Sequence, residues 1–131
     1  MTLKVDNKIF ISWDDIDTLV EELCNRIKMS GLQVKSITGI ERGGLIPAVM
    51  VSHKLGIPYV TRINRGTLVI DDICDTGQTL KNITSGFTAT LHYKKTADYK
   101  PDFYAKEVGD EWLVYPWERK DSEEIQDYLK G

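Results

Sequence analysis

The sequence predicts an α/β domain with a mainly parallel, twisted sheet flanked by helices. Short β-branched runs at residues 36–40 and 67–71 alternate with segments whose apolar residues fall at helical spacing. Glycine turns, Glu41-Arg42-Gly43-Gly44 and Asp75-Thr76-Gly77, stand where strand gives way to helix. No segment recurs at the period of a solenoid or propeller. At 131 residues the chain is expected to be one domain, residues 1–131, with enough core to need no metal or disulfide.

Residues 8–11 form a short strand candidate. Ser12 then caps a helix whose first turns hold Asp14, Asp15 and Asp17, where the helix dipole favours negative charge. Ile16, Leu19, Val20, Leu23 and Ile27 give that helix its apolar stripe, and Gly31 ends it. Residues 36–40 are a strand leading into the two-glycine turn. Residues 45–55 follow as a helix, Gly56 marks its exit, and Pro58 opens a strand over 59–62. Residues 67–71 are a buried strand. Residues 72–76 turn into a helix running from 77 to about 85, and 88–93 form the next strand. A polar connection over 94–102 contains Pro101. Two more strands, 103–106 and 111–115, are expected to pair as a hairpin around Val108-Gly109-Asp110, closed off by Pro116-Trp117-Glu118. Residues 122–130 read as an acidic terminal helix with Ile125, Tyr128 and Leu129 on one face.

Composition removes several function classes. With 41% hydrophobic and 28% charged residues the chain is not disordered. A net charge of −3 argues against a broad basic face for nucleic acid. The longest apolar run, residues 45–51, is too short to span a bilayer, and the N-terminus lacks the apolar core of a signal peptide. Cys24 and Cys74 form no zinc or redox spacing. The expectation is a soluble, cytoplasmic protein with no membrane or nucleic-acid partner.

Chemistry concentrates where strands end, the edge at which parallel sheets bind ligands. In residues 68–79 an apolar strand ends in Asp71-Asp72, and the small, hydroxylated loop Asp75-Thr76-Gly77-Gln78-Thr79 follows. Loop amides with the hydroxyls of Thr76 and Thr79 suit a phosphate. The paired carboxylates suit vicinal hydroxyls or a hard cation such as Mg²⁺. Together they fit a ribose 5-phosphate, and no Walker P-loop occurs. In the first strand-to-helix turn, Gly43 and Gly44 let the backbone approach an anion, and Arg42 supplies a bidentate fork.

Residues 68–79 resemble the phosphoribosyl-pyrophosphate (PRPP) signature of the type I phosphoribosyltransferases: four apolar or small positions, two acids, then an Asp-Thr-Gly-x-Thr turn. Residues 42–47 resemble the pyrophosphate loop of the 6-oxopurine group, whose members often carry a strained peptide before the arginine, here Glu41–Arg42. His92-Tyr93-Lys94, followed by Trp112-Leu113-Val114-Tyr115-Pro116-Trp117-Glu118, looks like the C-terminal part of the xanthine–guanine enzymes. The resemblance covers residues 9–118. It implies a type I phosphoribosyltransferase-like core with a small C-terminal hood hairpin.

The same resemblance implies roles for particular residues. Asp71 and Asp72 would bind the ribose hydroxyls, one of them also through Mg²⁺. Asp75 would serve as acid/base near purine N7, with Thr76, Gly77, Gln78 and Thr79 on the 5′-phosphate. Arg42 and Gly43 would receive pyrophosphate. Lys94 would read the 6-oxo group, with Lys95 as the adjacent alternative, and Trp112 would stack on the base beside Leu113. The implied reaction moves a phosphoribosyl group from PRPP to N9 of guanine, xanthine or hypoxanthine in a homodimer or homotetramer. A regulatory module that binds PRPP or nucleotides without turnover is the rival reading. His53, His92, Cys74 and Trp117 read as surface, packing or structural residues.

One departure from the family is plain. In the enzymes a long mobile loop precedes the signature strand, whereas here only residues 61–66 connect the two strands. If both strands are parallel and flank residues 36–40, the link must span about 20 Å with about 20–22 Å of chain. A taut crossover is expected, which leaves no flap and only Arg62 or Arg65 to approach the pyrophosphate. A hairpin turn at Asn64-Arg65-Gly66, with antiparallel strands, is the alternative.

Overall fold

A computed structural model describes residues 3–5 and 7–118. The terminal helix expected over 122–130 lies outside the described residues. The chain runs β1 (Leu3–Val5), β2 (Lys8–Phe10), α1 (Trp13–Ser30), β3 (Ser36–Gly39), α2 (Leu45–Leu55), β4 (Thr67–Cys74), α3 (Gln78–Lys81), β5 (Phe87–Lys94), β6 (Phe103–Val108) and β7 (Trp112–Val114). Four strands form a wholly parallel sheet in the order β3-β4-β5-β6. A second sheet, β1-β2-β7, sits as a hood, with β1 antiparallel and β7 parallel to β2.

Local chemistry accounts for the two long helices. Ser12 Oγ accepts the Asp15 amide at 3.0 Å while Asp15 Oδ2 accepts the Ser12 amide at 2.9 Å, a reciprocal cap that starts α1. Gly31 ends it in the left-handed conformation. The stripe Ile16, Leu19, Val20, Leu23, Cys24 and Ile27 is buried, and it meets Leu68, Ile70, Ala89, Leu91, Phe103 and Ala105 of the sheet in the main core. In α2, Pro47 falls in the first turn, where its missing N–H breaks no helical bond. No helix among the described residues is long and apolar enough to cross a membrane.

Four expectations need correction. The strand over 59–62 shrinks to a single parallel bridge between Tyr59 and Ile37, because the chain must turn back at once to reach Thr67. β4 continues beyond residue 71 to Cys74, and the helix expected over 77–85 is one turn, α3. Asn82 ends it by donating its side-chain amide to the Gln78 carbonyl at 2.9 Å. The hairpin of the last two strands does not form. Phe103 and Ala105 bury against the core, so β6 takes the parallel place beside β5, while β7 crosses to the hood and pairs with β2. The hood therefore takes its hairpin from the N-terminal strands β1 and β2, of which β1 was not anticipated.

The crossover is parallel, with Tyr59 on one side of β3 and β4 on the other, so the antiparallel alternative is excluded. By Gly66 the link is back at the start of the sheet, where its carbonyl accepts the Lys35 amide at 2.8 Å. Arg65 thus lies at the edge opposite the acid pair. Asp72 is five residues beyond Thr67, the first residue of β4, about 17 Å along the strand. This corrects the expectation that Arg65 could approach a pyrophosphate.

Candidate active site

The carboxyl ends of β3, β4 and β5 bring the expected residues to one edge. The turn after β3 holds the Glu41–Arg42 peptide in the cis form and puts Gly43 directly against the Asp72 carboxylate. A side chain at Gly43 would collide with Asp72 Oδ2, and one at Gly44 with the Ile70 carbonyl, so both glycines are needed for this approach. Arg42 is exposed on the same turn.

The acid pair is shaped by its own backbone. Asp71 Oδ1 accepts the Asp72 amide at 2.9 Å, and Asp72 Oδ1 accepts the Ile73 amide at 2.8 Å. Both residues are half-buried. The Asp75–Thr79 turn follows. Gly77 has φ +90°, and a side chain there would meet the Tyr99 amide nitrogen at 2.7 Å. Thr76 Oγ1 accepts the Gln78 amide at 3.2 Å, and Thr79 lies in the single turn of α3.

At the end of β5 the Lys94 ammonium lies 3.1 Å from Asp75 Oδ1, with the Lys94 side chain only 7% exposed. Lys95 turns outward to Glu107 at 3.4 Å with its side chain 75% exposed. Geometry therefore puts Lys94, and not Lys95, beside the acid turn. Trp112 opens β7, half-buried, with its indole N–H buried and without a hydrogen-bond partner, and Leu113 is buried in the main core. Neither shares with Asp75 a contact of the kind that Lys94 makes. Burial pushes the Cys74 thiol up to about 12, and it donates to the Tyr99 carbonyl at 3.2 Å, so it is no nucleophile.

Two supports escaped sequence reasoning. Residues 96–100, part of the polar connection, strap the Asp75–Thr79 turn: the Asp98 amide donates to the Thr76 carbonyl at 2.9 Å, and the Tyr99 hydroxyl meets Thr88 Oγ1 at 2.8 Å. Below the acid pair, the Tyr115 hydroxyl donates to the Asp72 carbonyl at 3.2 Å and lies 2.8 Å from His92 Nδ1. A histidine between Leu91 and Tyr93 in a strand candidate was the available signal, since a buried imidazole needs a partner.

A parallel sheet with a glycine loop after one strand and an acid pair running into a Thr-Gly turn after the next is the architecture of the type I phosphoribosyltransferases, and the chain has that fold. Within it the resemblance is to purine enzymes. The chain is 28% identical to the xanthine-guanine phosphoribosyltransferase of Idiomarina loihiensis, over 86% of this chain and 88% of the relative. That alignment spans 143 positions against 131 residues here, so the relative carries insertions that this chain lacks. A solved purine phosphoribosyltransferase from Pyrococcus horikoshii superposes with a TM-score of 0.76 at 26% identity, covering 91% of this chain and 99% of that one. The xanthine-guanine-hypoxanthine phosphoribosyltransferase of Helicobacter pylori shares the fold, with a TM-score of 0.73 at 19% identity over 83% and 92% of the two chains. No protein-family model matches the chain.

Proposed function

We propose that this protein transfers the 5-phosphoribosyl group of PRPP to N9 of a 6-oxopurine and releases pyrophosphate, as in purine salvage. The observation that carries the reading is the Lys94–Asp75 pair at 3.1 Å beside the acid pair. A 6-oxopurine presents an acceptor, O6, next to the N7 position, which carries a proton before reaction. An ammonium and a carboxylate side by side complement that edge, whereas adenine offers an amino donor to the ammonium.

In this reading Asp71 and Asp72 hold the ribose hydroxyls, and the turn Asp75-Thr76-Gly77-Gln78-Thr79 grips the 5′-phosphate. Arg42 and Gly43 receive the pyrophosphate, and Trp112 stacks on the base with Leu113 behind it. The purine N9–C1′ bond forms as the C1′–O bond to pyrophosphate breaks, the electron pair leaving on oxygen. Asp75 takes the purine ring proton. The developing cation at C1′ is stabilised by position and charge more than by covalent chemistry.

The donor set fits Mg²⁺. Two neighbouring carboxylates adjoin a phosphate loop, and no group of three acidic, His or Cys ligands occurs among the described residues. Mg²⁺ prefers one or two carboxylates plus substrate phosphates to an all-protein cage. Asp71 and Asp72 would hold it, and when bound it supplies neutralisation of the leaving pyrophosphate.

The test is a radiolabelled-PRPP assay with Mg²⁺ against guanine, xanthine, hypoxanthine and adenine. Nucleotide formation with 6-oxopurines and not with adenine is expected. The taut link leaves the site open to water, so slow turnover with ribose 5-phosphate as a by-product is expected as well. Tight nucleotide binding without turnover on any purine would instead establish a regulatory module.

A further inference from the structure

The backbone at Asp72 is held from more than one side. β4 pairs with β5 at Asp71–Thr90 and at Ile73–His92 in one unbroken register. The Asp72 amide, and that of Ile73, are taken by the aspartate side chains. The Asp72 carbonyl is bonded from outside the sheet by the Tyr115 hydroxyl, which arrives just past the end of β7.

That hydroxyl has one proton and two partners. The carbonyl only accepts, so Tyr115 donates to Asp72 at 3.2 Å, and the 2.8 Å contact forms together with it only if His92 donates from Nδ1. His92 therefore carries a proton on Nδ1, and in the neutral ring Nε2 carries none. Burial keeps the ring neutral: it pushes His92 down to about 4, and pushes the Tyr115 phenol well above its ordinary range. A one-way chain, His92 to Tyr115 to Asp72, ends on the peptide whose carboxylate abuts Gly43.

We propose that Tyr115, oriented by His92, is a positioning residue that fixes the Asp71–Asp72 turn for the ribose hydroxyls and Mg²⁺ of PRPP. The inference rests on the functional reading above. Turning the Asp72 peptide would swing the carboxylate away from the glycine loop, so the hydroxyl acts on the PRPP half of the site and not on the base. The ring of Tyr115 is held separately. It stacks parallel on Trp117 at 5.0 Å, and Trp117 packs on Trp13 at 5.9 Å. Removing the hydroxyl alone leaves that stack in place.

The experiment measures PRPP binding with Mg²⁺ by calorimetry, alongside KM for guanine and thermal stability, in wild type, Tyr115→Phe, His92→Leu and His92→Gln. Tyr115→Phe and His92→Leu should each weaken PRPP binding about tenfold, the scale of one lost buried hydrogen bond, with KM for guanine unchanged. His92→Gln keeps an N–H donor for Tyr115 and should recover most of the affinity. PRPP affinity equal to wild type in Tyr115→Phe overturns the inference alone. Equal losses for PRPP and guanine with a fall in stability make the chain merely structural and overturn it too. A wild type that binds no PRPP overturns the functional reading, and this inference with it.

Discussion

The two ends of β4 use the same kinds of side chain for opposite purposes. At its first residue, Thr67 Oγ1 meets Ser36 Oγ at 2.9 Å, accepts the Asn64 amide at 3.0 Å and donates to Asn64 Oδ1 at 3.2 Å. The Asn64 carbonyl accepts the Thr67 amide at 3.1 Å, and Asn64 Oδ1 also accepts the Gly66 amide at 2.9 Å. The Asn64, Gly66 and Thr67 bonds close the short crossover on itself, and Ser36 ties it to β3. At the far end, Asp71 Oδ1 accepts the Asp72 amide and Asp72 Oδ1 accepts the Ile73 amide, and Gly43 brings bare backbone up to the Asp72 carboxylate. Polar groups that bond within their own turn make a knot, whereas carboxylates braced by the next amide along the strand stand fixed beside the glycine loop.

That contrast breaks most visibly at Asp75. Asp75→Asn keeps shape and an acceptor for Lys94 but removes the charge and the proton acceptor. Turnover should fall by roughly 10²–10⁴ with GMP affinity little changed. Steady-state kinetics beside a GMP titration decides it. A variant that loses turnover and GMP affinity together would move Asp75 from chemistry to binding.

Lys94→Met should come next. On the proposed reading it deletes the donor to the 6-oxo group, so guanine binding should weaken by about tenfold to a hundredfold while PRPP binding stays near wild type. Trp112→Ala should cost about 1–3 kcal/mol toward any purine, because stacking tolerates base identity. Equal loss of PRPP affinity in either variant would show that the base is bound elsewhere.

The acidic end of β4 and the turn after it were legible as local structure because their residues are contiguous. Asp71, Asp72 and the turn to Thr79 are contiguous, and α1 announced itself by Ser12, its apolar stripe and Gly31. What escaped reading depends on partners far along the chain. His92 and Tyr115 are 23 positions apart, and Tyr115 and Asp72 are 43 apart. β7 was expected to pair with its neighbour in sequence but joined β2 instead, a choice made by the buried face of β6. The strand after α2 failed for a different reason: six residues of link leave no length for more than one bridge.

His92 makes the middle of β5 sensitive to acid. Burial first, then the charge of Lys106, lowers its pKa from 6.5 to about 4, with Asp15 opposing. The unfolded chain therefore binds a proton that the folded one refuses. Stability is full above pH 6.5 and is lost as pH falls toward 4, by at most about 1.4 kcal/mol per pH unit from this group. Thermal melts across that window should show the loss, and His92→Leu should flatten the slope. An unchanged slope would assign the acid sensitivity to the carboxylates.

The smallest effects on turnover and binding belong to the closed end of β4, and they separate fold from function. Thr67→Val strips the one hydroxyl that Asn64 and Ser36 share. It leaves the Asn64 amide and the Ser36 hydroxyl without that partner, so it should destabilise by about 1–3 kcal/mol. Ser36→Ala is milder. The proton polarity of the knot has Ser36 donating to Thr67, which still accepts the Asn64 amide and donates to Asn64 Oδ1 when the serine hydroxyl is gone. No buried group is orphaned, so the cost should be about 0.5–1 kcal/mol. Denaturant unfolding would read both values, and kcat and PRPP affinity should match wild type in each, since the acid pair is five residues of rigid strand away. If Ser36→Ala altered PRPP affinity, the short crossover would have to be reaching the site through β3, and the two ends of β4 would be coupled after all.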